Sequence, residues 1–116
     1  MRVGAVIDDL MLYSRIAAAA DAAGATLLRV SDPTALPADL DLVLVDWSAR
    51  HPSWGDALRA RTGSRTVLFG RHTDLEAHAA ARAAGLGPML ARSALIGRLP
   101  DLVTDARAGT PRAGSA

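Results

Sequence analysis

The sequence predicts one α/β domain, a three-layer sandwich whose five-stranded parallel sheet runs in the order 2-1-3-4-5 with helices on both faces. Three observations predict it. Apolar runs of strand length alternate with helix-length segments along the chain, the pattern of a parallel sheet built from β–α units. The run Leu42-Val43-Leu44-Val45 is continuously apolar between Asp41 and Asp46, as a strand buried on both faces requires. The chain has 116 residues, half of them hydrophobic, which suits one domain with a real core. Right-handed crossovers leave few topologies for such units. The order 2-1-3-4-5 is among the commonest, and it sets strands one and three side by side.

Residues 3–7 (VGAVI) read as the first strand. Residues 10–23 follow as a helix, because Leu12, Ile16, Ala19 and Ala23 recur at three- and four-residue spacing. Gly24 then stops it in the left-handed conformation. Residues 25–30 are strand two. The segment 31–39 contains Pro33 and Pro37 and has room for one helical turn at 34–36, not for a full helix. Residues 41–45 are strand three. A loop through His51, Pro52 and Gly55 enters a short helix at 56–61, and 65–69 (RTVLF) form strand four. Thr73 and Glu76 match a capping box, opening a helix that runs to Ala84 and stops at Gly85. Residues 89–91 are a short fifth strand, and the last helix spans 95–106. Pro100 near its middle predicts a break or a late start. The domain is read as 1–106, and the small-residue tail 107–116 as disordered.

Composition narrows the function classes. There is no cysteine, which excludes disulfides and thiolate chemistry and fits a reducing compartment. There is no lysine either, so every fixed basic side chain is arginine. The net charge of +1 argues neither for nor against nucleic acid, and no direct nucleic-acid partner is expected. Residues 1–48 carry seven acids against three arginines, and the remainder carries five against ten. No apolar stretch is long enough to span a bilayer, and the opening Met1-Arg2-Val3-Gly4 enters a strand rather than a signal peptide. A cytoplasmic protein without membrane contact is the expectation. No GxGxxG or GxxxxGK[ST] pattern follows strand one, so a dinucleotide or P-loop site has little support.

The acids near strands one and three carry the chemistry. In open α/β sheets the reactive edge lies at the carboxyl ends of the strands. Asp8 and Asp9 end the first strand and Asp46 ends the third, so the topology predicts three carboxylates in one crevice. Carboxylates that close repel unless a cation or proton intervenes. Mg²⁺ is the usual solution, and one carboxylate can serve as nucleophile for a phosphoryl group. Asp8, Asp9 and Asp46 are therefore the candidate metal ligands.

At these residues the chain resembles the receiver domains of two-component response regulators, which have a flavodoxin-like fold. Val6-Ile7-Asp8-Asp9 resembles their Mg²⁺-binding acidic pair. Leu42-Val43-Leu44-Val45-Asp46 resembles their third strand, with Asp46 at the phospho-acceptor position. Val67-Leu68-Phe69-Gly70 with His72 and Asp74 resembles strand four and its loop. Ala84-Gly85 and Met89-Leu90-Ala91-Arg92-Ser93 resemble the segment around strand five. The likeness covers residues 2–103. Three positions depart from it. Gly70 stands where a receiver carries a Ser or Thr switch hydroxyl. Arg92 stands where it carries lysine, keeping the charge in a larger planar fork. Ser93 replaces the usual proline.

The resemblance with these departures implies a stand-alone receiver-like regulatory domain, not an enzyme, with a degenerate phosphorylation site and a protein partner. That partner would be a histidine kinase or an output protein, and homodimerisation stays open. Glu76, His78, Arg82, Met89, Arg92, Leu95 and Arg98 would form the contact face. Two alternatives remain. One is a functional receiver phosphorylated on Asp46 in a histidine-kinase relay. The other is a flavodoxin-like small-molecule-binding or enzymatic domain. Bland readings stand beside each residue: Asp9 as a helix N-cap, Arg92 as a salt bridge to Asp46, His72 as an exposed loop residue. Trp47 would pack beside the site, and Trp54 would either pack or meet a partner.

Overall fold

The computed structural model describes residues 1–107. Five strands form one parallel sheet in the order β2-β1-β3-β4-β5: β1 Arg2–Val6, β2 Thr26–Val30, β3 Leu42–Asp46, β4 Arg65–Gly70 and β5 Met89–Ala91. The helices are α1 Leu10–Ala22, α2 Trp54–Arg59, α3 Leu75–Ala83 and α4 Arg92–Arg107, with single 3₁₀ turns at Pro33–Ala35 and Trp47–Ala49. Class and strand order are those the sequence predicts.

Alternation along each strand divides the core into two layers. Val3, Ala5, Ile7, Leu42, Leu44, Val67 and Phe69 face α1 and α4, meeting Leu12, Ile16, Leu95, Leu99, Leu102 and Val103. Val6, Val43, Val45 and Leu68 face the other way, meeting Trp47, Trp54, Leu58, Ala77 and Ala81. All of β3 is buried, and Phe69 is wholly so. Burial of each such large side chain contributes roughly 1.5–3 kcal/mol.

Between β2 and β3 only the turn at Pro33–Ala35 forms, as the two prolines imply. Leu36 and Leu40 from this segment cover the sheet instead, and both are buried. Gly4 makes that possible. A Cβ there would lie 2.6 Å from Leu40 Cδ1 and 2.8 Å from Leu36 Cδ2. The outermost strand β2 is left largely exposed.

Three boundaries correct the sequence reading. α2 begins and ends two residues earlier than 56–61. The cap of α3 is Asp74, whose carboxylate accepts from the Ala77 amide at 3.0 Å. The Thr73–Glu76 capping box does not form, because Thr73 lies one residue outside, its carbonyl accepting from Leu75 N–H at 3.0 Å. α4 starts at Arg92 and continues through Pro100. Proline in a helix interior costs about 3 kcal/mol. Leu95, Leu99, Leu102 and Val103 anchor both halves of α4 in one core layer and offset it. The tail read as 107–116 lies outside the described residues except for Arg107, which ends α4. Among the described residues no helix is long and apolar enough to cross a membrane.

Candidate functional site

The register brings the strand ends together. Val6 pairs with Val45, Asp46 with Phe69, and Gly70 with Ala91. The carboxyl rim thus carries Asp8 and Asp9 after β1, Asp46 on β3, Gly70 on β4 and Arg92 immediately after β5.

Asp46 is 5% exposed. The Arg92 guanidinium reaches it, with Nη2 donating to Asp46 Oδ2 at 3.3 Å. The other terminal nitrogen, Nη1, lies 3.6 Å from Asp9 Oδ2. One arginine therefore bridges two carboxylates, as its planar fork allows. Asp9 does a second job: its Oδ1 accepts from the Met11 and Leu12 amides at 3.1 Å and caps α1. Such a cap stabilises a helix by about 1 kcal/mol.

Asp8 does not join them. Its side chain is 73% exposed, accepts from Ser31 Oγ at 2.7 Å and lies 3.8 Å from Arg29 Nη1. Sequence reasoning placed all three acids in one crevice. The structure brings Asp9 and Asp46 together and turns Asp8 toward the end of β2. Among the described residues no group of three or more His, Asp or Glu side chains is arranged to hold a metal. Asp9 and Asp46 are the two carboxylates that would hold Mg²⁺, with waters completing its shell, and they already share the Arg92 guanidinium.

Burial pushes the Asp46 carboxyl above its ordinary range, outweighing the Arg92 charge and the Ser48 backbone N–H, which favour ionisation. Asp46 Oδ1 is buried without a partner in hydrogen-bonding geometry, and so is Arg92 Nε.

Gly70 has a steric cause that the sequence did not disclose. A Cβ at this position would collide with the Ser48 hydroxyl and come within 2.9 Å of Met89 Sδ. Ser48 Oγ accepts from the Arg71 amide at 3.1 Å. The hydroxyl beside β4 is supplied two residues after Asp46, not by β4 itself. Its only sequence signal was proximity to Asp46.

The two tryptophans pack. Trp47 donates from its indole N–H to Ala77 O at 3.0 Å, tying the end of β3 to α3. Trp54 is 4% exposed, its ring against His51, so it offers no free partner contact. His72 is exposed, and its carbonyl accepts from His78 Nε2 at 3.1 Å. On the expected contact face Met89 and Leu95 are core residues, whereas Glu76, Arg82 and Arg98 are exposed.

Solved structures share this architecture. A response regulator receiver domain protein from Clostridium thermocellum is 17% identical with a TM-score of 0.68, over 93% of this chain and 94% of that one. The receiver domain of Francisella response regulator 1452 is 14% identical with a TM-score of 0.69, over 94% and 98%. A response regulator receiver protein from Burkholderia phymatum is 19% identical with a TM-score of 0.63, over 89% and 94%. No family model and no curated protein matches the sequence. The chain has the fold of a response-regulator receiver domain.

Proposed function

We propose that this is a receiver-fold regulatory domain whose phosphorylation centre is closed by Arg92, and that it acts through protein contacts rather than catalysis. The carrying observation is the single guanidinium that bridges Asp46 and Asp9. It supplies one positive charge against the two acids and competes with any cation for both carboxylates. The absence of a switch hydroxyl on β4 supports the same reading, since Ser48 fills that space and is held by the Arg71 amide. The partner would be an output protein or a histidine kinase in a bacterial cytoplasm.

The rival reading, phosphorylation on Asp46 in a relay, has one observation in its favour. Asp46 Oδ1 has no hydrogen-bond partner, so one oxygen of the acceptor is uncommitted. Incubation with acetyl phosphate and Mg²⁺, followed by intact mass measurement, separates the two. The closed site leaves the mass unchanged. A single phosphoryl addition that disappears in Asp46→Asn would overturn it.

A further inference from the structure

A cavity of about 500 Å³ lies between α2 and α3 and shares no residue with the Arg92 bridge. The two helices line it with small apolar groups, Gly55 on α2 and Ala80, Ala83 and Ala84 along α3, and Trp47 joins them from the end of β3. Gly55 leaves open the space where a Cβ would stand 3.6 Å from Ala84 Cβ and 3.3 Å from Arg59 Nη1. Two arginines reach the cavity. Arg59 is committed: it pairs with the Asp56 carboxylate, and its Nη1 donates to Ala84 O at 3.0 Å. Arg50 is not. Its side-chain bond, from Nη1 to Trp47 O, is long at 3.4 Å, and among the described residues it makes no ion pair. The Arg50 guanidinium lies over the Trp47 ring, 5.8 Å from its centroid, and this stacking fixes its place. An uncommitted, positioned cation thus stands at the edge of an apolar hollow.

We propose that this cavity binds a small aromatic carboxylate, with its ring between α2 and α3 and its carboxylate on Arg50. One guanidinium fork matches the two oxygens of one carboxylate. A phosphate dianion fits less well, because Arg50 is the uncommitted guanidinium of this lining and Asp56 adds a negative charge to it. A flat ring suits a hollow walled by glycine and alanine, and the volume lies within the range of small-molecule pockets. His51 and Pro52 line the same cavity and extend its ring-binding surface. The ligand would touch Trp47, whose indole N–H donates to Ala77 O on α3. Binding therefore bears on the link between β3 and α3. It does not rest on the closed-site reading, since no acid of the rim takes part.

The test is a titration of the full chain with 2-naphthoate, followed by amide and indole N–H NMR shifts at constant pH and ionic strength. Two further arms use 2-naphthalenemethanol, which has the ring without the charge, and acetate, which has the charge without the ring. Saturable shifts are expected at the Trp47 indole N–H, Arg50, Gly55 and Ala80, with a Kd on the order of 0.1–1 mM for a ligand of this size. The alcohol should bind about tenfold more weakly, the contribution of one charge-assisted contact. Acetate should not saturate in the same range. Arg50→Ala should remove the preference for carboxylate over alcohol while changing alcohol binding little. Ala80→Leu should weaken both ring-bearing probes severalfold by filling the hollow. Arg50 is only partly buried, so Arg50→Ala decides the matter even where Ala80→Leu fails to fold. Shifts that do not saturate or that acetate reproduces would overturn the proposal. So would equal binding of acid and alcohol, a carboxylate preference that survives Arg50→Ala, or a folded Ala80→Leu chain that binds like the parent.

Discussion

Replacing Arg92 with alanine removes the guanidinium and leaves Asp46 buried without a counter-charge. Exposed ion pairs contribute about 0–1 kcal/mol, whereas breaking a fully buried pair costs about 3–5 kcal/mol. This bridge lies between those limits. The Asp46 side chain is 7% exposed but that of Arg92 is 37% exposed, and the 3.3 Å contact is long for a charged hydrogen bond. Solvent screening of Arg92 places the loss in the lower half, about 1–2 kcal/mol. For a domain near 100 residues each kcal/mol shifts Tm by about 4–8 °C. Arg92→Ala should therefore melt roughly 4–16 °C lower. Urea unfolding followed by the fluorescence of the buried Trp47 and Trp54 gives the free energy directly. Asp46→Asn in the Arg92→Ala background should recover part of the loss, because an amide needs no counter-charge. The coupling should reach about 0.5–3 kcal/mol. An Arg92→Ala protein as stable as the parent, or additive effects of the two substitutions, would refute the bridge as the element that stabilises the site.

Further outcomes follow from the same geometry. Burial raises the Asp46 pKa above its value of 3.8, so the folded chain holds this proton more tightly than the unfolded one. The stability it contributes is complete below 3.8 and is lost as pH rises through the folded value. Asp46→Asn should flatten that loss and exceed the parent in unfolding free energy at neutral pH; identical pH profiles would contradict this. Gly70→Ala should cost about 1–3 kcal/mol through overpacking against Ser48 and Met89, and Ser48→Gly in the same chain should recover most of it. Millimolar Mg²⁺ should leave the parent Tm unchanged and raise that of Arg92→Ala, where Asp9 and Asp46 are released; equal responses in a thermal melt would count against competition between arginine and cation.

The fold was legible because its signals are periodic. Alternation in β1, β3 and β4 and the helical spacing of Leu12 and Ile16 survive without tertiary information. Errors fell where a local rule met packing. Pro100 argued for a break, yet Leu99, Leu102 and Val103 hold α4 across it. Thr73 and Asp74 are both good caps, and the point at which the chain bends decides between them. The candidate site was only partly legible. Asp46, Gly70 and Arg92 lie where the resemblance placed them on the rim. Asp8 and Asp9 were assigned to one crevice, but consecutive residues leaving a strand point to different sides, and only Asp9 meets Arg92. Ser48 was missed because its contact with Gly70 joins two elements, and no spacing within either announces it. Met89 and Leu95 were assigned to the surface because their elements border an exposed face, although their own side chains fill the core.

The central claim is the closure of the acid pair by Arg92. The most direct measurement is a crystal structure grown with Mg²⁺, reading the distance from the Arg92 guanidinium to the Asp46 and Asp9 carboxylates. The account expects Nη–O separations near 3.3 and 3.6 Å with no cation between the acids. A cation seated between Asp9 and Asp46, with Arg92 displaced, would contradict it.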